Sequence, residues 1–176
     1  IVDYFLIHNR DIVRPIDDSV LQVSDGEIEF FRRARGYVPD PMLTNQNVHN
    51  IAALGSIQKN TFTLGRQNQV FIGPHIGDLT NFETMEYYQQ IYSQLSEWVT
   101  LDEPTIVKEK HPQFPIGELT SNLKFSNVLE VQHHHAHMAG CMVENQLDEA
   151  WGIILDGTGF GEDGAIWGFE LFYGSV

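Results

Sequence analysis

Cysteine is almost absent. Cys141 stands alone among 176 residues, so no disulfide can close within them and no cysteine-rich zinc module can be built. Its place in an apolar helical stretch after His137 suits a packed structural thiol better than a nucleophile. Positive charge is scarce too. Ten Lys and Arg face 24 Asp and Glu, for a formal net charge of −14, which argues against a phosphate-tracking surface and hence against a nucleic-acid partner. The acidity is dispersed, giving a self-repelling surface and no acidic tail. No apolar run is long enough to span a membrane, and no leader pattern is visible, so the cytoplasm is the expected compartment. The first residues, Ile-Val-Asp-Tyr-Phe-Leu-Ile-His, lack an initiator Met, and the last follow directly on an apolar strand. Both ends are expected to be cut from something longer.

Histidine, by contrast, is concentrated. His133, His134, His135 and His137 crowd one run, and about twenty residues later an apolar strand ends in Asp156-Gly157-Thr158-Gly159-Phe160-Gly161. If the run opens a helix, His133 and His137 lie at i and i+4 and leave the same face. Asp156, where the chain leaves a buried strand, then completes three protein ligands for one metal ion. Three ligands leave a position for water or substrate, the arrangement of catalytic rather than structural zinc. His134 and His135 point elsewhere on the helix and are expected behind the ligands, toward substrate or on the surface. The glycines after Asp156 permit positive φ and offer backbone donors to a phosphate, although the spacing is not that of a Walker loop.

The rest of the chain reads as a mixed α/β fold. Residues 3–8, 19–23 and 27–31 are expected strands, leading into the basic cluster Arg32-Arg33-Ala34-Arg35-Gly36, which is suited to a phosphate or carboxylate. Residues 37–47, with two prolines, form an expected linker, with a domain boundary near residue 45. Three short apolar runs, 51–54, 61–64 and 70–72, predict an antiparallel meander, and Lys59 at its first turn is a candidate phosphate ligand. Thr80 or Asn81 caps a helix over 82–99 whose apolar stripe is Phe82, Met85, Ile91, Leu95 and Trp98. Strands follow at 105–107 and 127–131, the latter feeding the histidine helix. A hairpin of 150–155 with 165–172 spans the glycine loop.

Ordered motifs along essentially the whole chain resemble the HypF family of hydrogenase maturation carbamoyltransferases. They are Ile7-His8-Asn9-Arg10-Asp11-Ile12, Asp17-Asp18-Ser19-Val20, Arg32 to Pro39, Ala53-Leu54-Gly55 with Lys59-Asn60-Thr61-Phe62, His75-Ile76-Gly77-Asp78-Leu79, Gln132 to His137, and Asp156-Gly157-Thr158-Gly159. The resemblance implies that residues 1–45 end a YrdC-like α/β domain. Residues 46–176 would begin a Kae1-like domain of the actin-like ATPase, ribonuclease H-like class. It also implies an activity: carbamoyl phosphate and ATP are joined into carbamoyl adenylate, and the carbamoyl group is passed to the C-terminal cysteine of HypE for cyanide ligand synthesis. Carried over by motif, His133, His137 and Asp156 hold a divalent metal, zinc or iron. Lys59, Asn60, Gly157, Thr158, Gly159 and Gly161 face nucleotide or carbamoyl adenylate. Lys59, His133, His137 and Asp156 are the catalytic set, and Ser19, Arg33 and Arg35 belong to the upstream adenylation site.

Two positions depart from the family pattern: Phe169 stands where a glycine is usual, and Glu109 where an Asp is usual. The family's acylphosphatase-like domain, its paired Cys-X-X-Cys modules and a late metal-binding Asp have no counterpart among these residues, so the segment alone is expected to be inactive. A related Kae1-like carbamoyl or threonylcarbamoyl transferase, and a noncatalytic metal-binding docking module, are the alternatives.

Overall fold

The computed structural model describes residues 2–121 and 123–175. Near the start, β1 (Val20–Ser24) and β2 (Glu27–Arg32) form an antiparallel hairpin. Its turn residues Asp25 and Gly26 take φ of 51° and 85°, the left-handed pair that two-residue hairpin loops require. Residues 3–8 do not form the expected strand. They run without a ladder partner, with Tyr4, Phe5, Leu6 and Ile7 exposed.

The main body is a six-stranded sheet with the order β3-β6-β5-β4-β7-β8. The expected meander is present as β4 (Ile51–Ala53), β5 (Thr63–Arg66) and β6 (Gln69–Ile72). The proline-rich segment is more than a linker, because Met42–Leu43 adds an antiparallel edge strand, β3, beside β6. On the far side of β4, β7 (Thr105–Glu109) and β8 (Asn127–Val131) run parallel to it. Parallel neighbours need crossovers, supplied here by α1 (Phe82–Val99) and by a short helix the sequence did not suggest, α2 (Ile116–Thr120).

Asn81 starts α1, its side chain accepting from the Thr84 amide at 2.9 Å. The face it buries differs from the expected one: Tyr88, Ile91, Tyr92 and Val99 are buried, whereas Phe82 and Trp98 are 70% and 55% exposed. The buried positions follow i, i+3, i+4, i+11 and bring two tyrosines against Phe62 in edge-on contact at 5.4 and 5.3 Å. These aromatics close the core with Ala52, Leu54, Leu64 and Ile106. Edge-to-face pairs of this kind add about 0.5–1.5 kcal/mol to the burial itself, and Trp98, though half exposed, makes a similar contact with Phe71 at the margin of the core.

After β8 comes α3 (His133–Glu144), then β9 (Glu149–Ile154), the two-residue strands β10 (Gly159–Phe160) and β11 (Ile166–Trp167), and β12 (Glu170–Ser175). The hairpin across the glycine loop is there, but β9 pairs with β12 from Glu170 onward, and β10 and β11 form a smaller ribbon inside the loop. Met138 and Met142 pack α3 onto Ile154 as a second small core. The parallel strands β4, β7 and β8 all end at the same edge of the sheet, the place where open α/β sheets accept ligands. Gly55 and the start of α3 lie just past the ends of β4 and β8, and Glu109 is the last residue of β7.

Candidate metal centre and adjoining cavity

Gln132 determines how α3 begins. Its side-chain oxygen accepts from the His135 amide at 2.9 Å, and its nitrogen donates to the Phe160 carbonyl at 3.2 Å. One buried side chain therefore caps the helix and ties its first turn to the glycine loop. With the helix so placed, His133 and His137 project together, their Nε2 atoms 3.1 Å apart. Asp156, just past β9, sets Oδ2 3.0 Å from His133 Nε2 and 4.0 Å from His137 Nε2. A four-coordinate ion with bonds of about 2.0–2.1 Å needs ligand atoms about 3.3 Å apart, and these three separations straddle that value. Asp156 Oδ2 is moreover buried with no hydrogen-bond donor directed at it. The three side chains brought together are those expected from the sequence, and they fit a divalent cation.

The electrostatics suit the same role. Burial acts to raise the Asp156 carboxyl, but His133, the backbone amides of Thr158 and Gly157, and His134 outweigh it and hold the group below the usual carboxylate value. His133 is raised, chiefly by its hydrogen bond to Glu109, and His137 is lowered, chiefly by burial and then by the charge of His133. The pair is thus set so that one imidazole is more easily protonated than the other.

The amides of Gly157 and Thr158 face the Asp156 carboxylate closely enough to help hold its pKa down. Gly157, Gly159 and Gly161 do not adopt the left-handed conformation; within the loop only Gly164 does, at φ 79°. Close approach is what requires two of these glycines. A Cβ on Gly159 would lie 2.6 Å from His134 Nε2, and one on Gly161 would lie 2.2 Å from Trp167 Nε1. Around Gly157 there is open space. His134 is fully buried behind Asp156, its Nε2 3.3 Å from Oδ2, in keeping with the supporting position expected of it. His135 instead packs edge-on against Phe172.

A cavity of about 330 Å³ adjoins the metal centre, lined by Gly55, Ser56, Lys59, Thr61, Lys108, Glu109, His133 and His137 among others. Lys59 therefore shares one cavity with both histidines. Its backbone takes φ 47°, and its amide donates to Asp78 Oδ1 at 2.7 Å. Asn60 is placed differently: it is fully buried, and its amide nitrogen donates to Leu54 O and Ser56 O at 2.9 and 2.6 Å. That side chain braces the loop instead of lining the cavity. A second hollow of about 530 Å³ shares His137 with that cavity and is also lined by Asp156, Met138, Cys141 and Trp151. Cys141 is exposed there, contrary to the packed thiol expected.

The upstream residues also converge, but on one another. Ser19 Oγ donates to Arg35 O and accepts from the Ala34 amide, both at 2.9 Å. Arg33 donates to Asp40 O at 2.9 Å, and Arg35 pairs with Asp18 at 3.4 Å and donates to Ile16 O at 3.1 Å. Burial lowers the Arg33 guanidinium, and its NH1 is buried without a partner. This cluster is apart from the metal centre and shares none of the cavity's lining residues.

Sequence reasoning left the part played by Glu109 in doubt and did not mark Lys108. The signal available was the position of both at the carboxyl end of a parallel strand.

An antiparallel meander continued by parallel strands, with two histidines at the start of α3 and an aspartate past β9, makes a mixed α/β lobe whose candidate site lies at the carboxyl ends of the parallel strands. Residues 46–144 match the family model described as the HypF Kae1-like domain, so the chain belongs to the HypF family. Carbamoyltransferase HypF of Synechocystis sp. is 39% identical over 174 residues, covering 97% of this chain and 23% of the relative. Probable carbamoyltransferase HypF of Methanocaldococcus jannaschii is 35% identical over 177 residues, again 97% and 23%. A crystal structure of full-length HypF in the phosphate- and nucleotide-bound form matches with a TM-score of 0.88 and 40% identity, over 99% of this chain and 28% of that one. HypF of T. kodakarensis matches with a TM-score of 0.82 and 33% identity, over 95% and 22%. The chain thus spans about a quarter of the length of the proteins it matches.

Proposed function

We propose that the chain is part of an ATP-dependent carbamoyltransferase, residues 1–45 ending a YrdC-like domain and residues 46–176 beginning a Kae1-like one. In that protein carbamoyl phosphate and ATP are joined into carbamoyl adenylate, and the carbamoyl group passes to the C-terminal cysteine of HypE for cyanide ligand synthesis in hydrogenase maturation. The observation that carries this reading is the convergence of His133, His137 and Asp156 beside a cavity that Lys59 also lines. The carbamoyltransferase relatives support the carbamoyl chemistry, and the phosphate- and nucleotide-bound form of full-length HypF supports the use of a nucleotide by the whole protein.

A divalent ion, zinc or iron, held by His133, His137 and Asp156 would supply Lewis-acid polarisation to the carbamoyl carbonyl or the adenylate phosphate. Lys59 sets positive charge against the phosphate, and Gly157, Thr158, Gly159 and Gly161 form the wall over which the nucleotide lies. The acceptor thiolate forms a bond to the carbamoyl carbon as the bond to the adenylate oxygen breaks, AMP leaving with that electron pair. Ser19, Arg33 and Arg35 serve the preceding adenylation. A net charge of −14 makes a protein thiol a better partner than tRNA. No described helix is long and apolar enough to cross a membrane.

The test separates the two half-reactions in the full-length protein. His137→Ala is expected to leave carbamoyl-phosphate-dependent ATP turnover within about twofold while abolishing the mass gain of the acceptor protein, since the open coordination position serves transfer alone. Parental transfer by the variant would remove the metal centre from the reaction.

A further inference from the structure

Glu109 lies at the last position of β7 with its side chain 14% exposed, and Oε1 is 2.9 Å from His133 Nδ1. The lysines on either side of it have other partners. Lys108 meets Glu130 across the sheet at 2.6 Å, and Lys110 pairs with Glu162 of the glycine loop. The Glu109 carboxylate is thereby left to the imidazole, and it stands outside the set of ligand atoms that His133, His137 and Asp156 bring together. The two nitrogens of His133 consequently have separate tasks, Nδ1 facing Glu109 and Nε2 facing Asp156 Oδ2 and His137 Nε2.

We propose that Glu109 is a positioning residue that holds His133 in the Nδ1–H form and so presents the Nε2 lone pair to the cation. A histidine whose Nδ1–H is held by a carboxylate cannot turn over or change tautomer freely, and the negative charge behind the ring makes Nε2 a better donor to a metal. The Glu109 side chain spans from the last position of β7 to the first residue of α3. This inference rests on the metal reading, and its geometric basis is the 2.9 Å approach of Glu109 to the His133 nitrogen that faces away from Asp156.

Two measurements on the full chain test it. In the zinc-loaded protein, long-range proton–nitrogen correlation spectra should show His133 protonated at Nδ1, and Glu109→Leu should shift that proton signal and speed its exchange with solvent. In chelator competition with cobalt, Glu109→Leu should weaken binding about 10- to 100-fold and shift the visible ligand-field bands, with the isosteric Glu109→Gln falling between it and the parent. If Glu109→Leu does not fold, Glu109→Gln carries both arms. A parental proton signal and exchange together with parental cobalt affinity and spectrum would overturn the role of Glu109. Loss of cobalt binding in His133→Ala/His137→Ala is the separate control. If that double variant binds as the parent does, the metal centre is misassigned, whatever the tautomer arm shows for Glu109.

Discussion

Replacing the loop glycines one at a time separates packing from ligand access. Gly159→Ala puts a Cβ 2.6 Å from His134 Nε2 and 3.0 Å from both Cδ2 and Cε1, about 0.8 Å inside an ordinary contact at the closest atom. The imidazole cannot yield, because His134 is fully buried between α3 and the loop. Overpacking of this kind costs about 1–3 kcal/mol, and the rigid ring places this variant toward the upper end. Gly157→Ala meets nothing within 4 Å and its φ is not left-handed. It should therefore leave stability unchanged or raise it by up to about 1 kcal/mol through the less flexible unfolded chain. Urea unfolding followed by tryptophan fluorescence reads both. The midpoint of Gly159→Ala should fall with the slope unchanged, and that of Gly157→Ala should hold or rise. Equal destabilisation by the two, or a larger loss at Gly157, would refute the packing explanation and return the loop to the strained, positive-φ form that the glycines first suggested. Under the proposed function, Gly157→Ala should still weaken nucleotide binding, since its open side is where a ligand approaches.

Further outcomes follow from the same geometry. Dialysed parent protein should retain more zinc than His133→Ala/His137→Ala by elemental analysis; equal content would remove the assignment. Ser19→Ala breaks the paired contacts to Ala34 and Arg35 and should lower stability by about 1–2 kcal/mol in urea titration. Asn81→Ala should cost about 1 kcal/mol by loss of the α1 cap, seen as a lower thermal midpoint. Phe169→Gly relieves a left-handed φ of 57° at a largely exposed side chain, and should leave the chain no less stable than the parent.

Local chemistry was enough to place most elements. The Asn81 cap, the meander, the i and i+4 histidines and the strand ending at Asp156 were all legible, because caps, alternation and helical spacing act over a few residues. The departure at Phe169 was legible as well, and the structure gives it a backbone meaning: a side chain occupies a left-handed position that glycine would hold more easily.

Other features depended on partners distant in sequence. Residues 3–8 have strand-like composition but no neighbouring ladder, and Met42–Leu43 became a strand only because the β6 edge was available. The burial of Tyr88 and Tyr92 on α1 depends on Phe62 from the sheet, which both rings meet edge-on. Lys59 was recognisable as a candidate, but its sharing a cavity with His133 required the ends of β4, β7 and β8 to meet. The sequence by itself determined which side chains could bind a metal, since ligand chemistry belongs to residue type and helical spacing is local. Asp156 was already legible there as the third candidate ligand, from its place at a strand end. That Glu109 would meet the other nitrogen of His133 was decided only by the tertiary structure, because the end of β7 lies far from α3 in sequence and comes beside it only through the parallel pairing of β7 with β8.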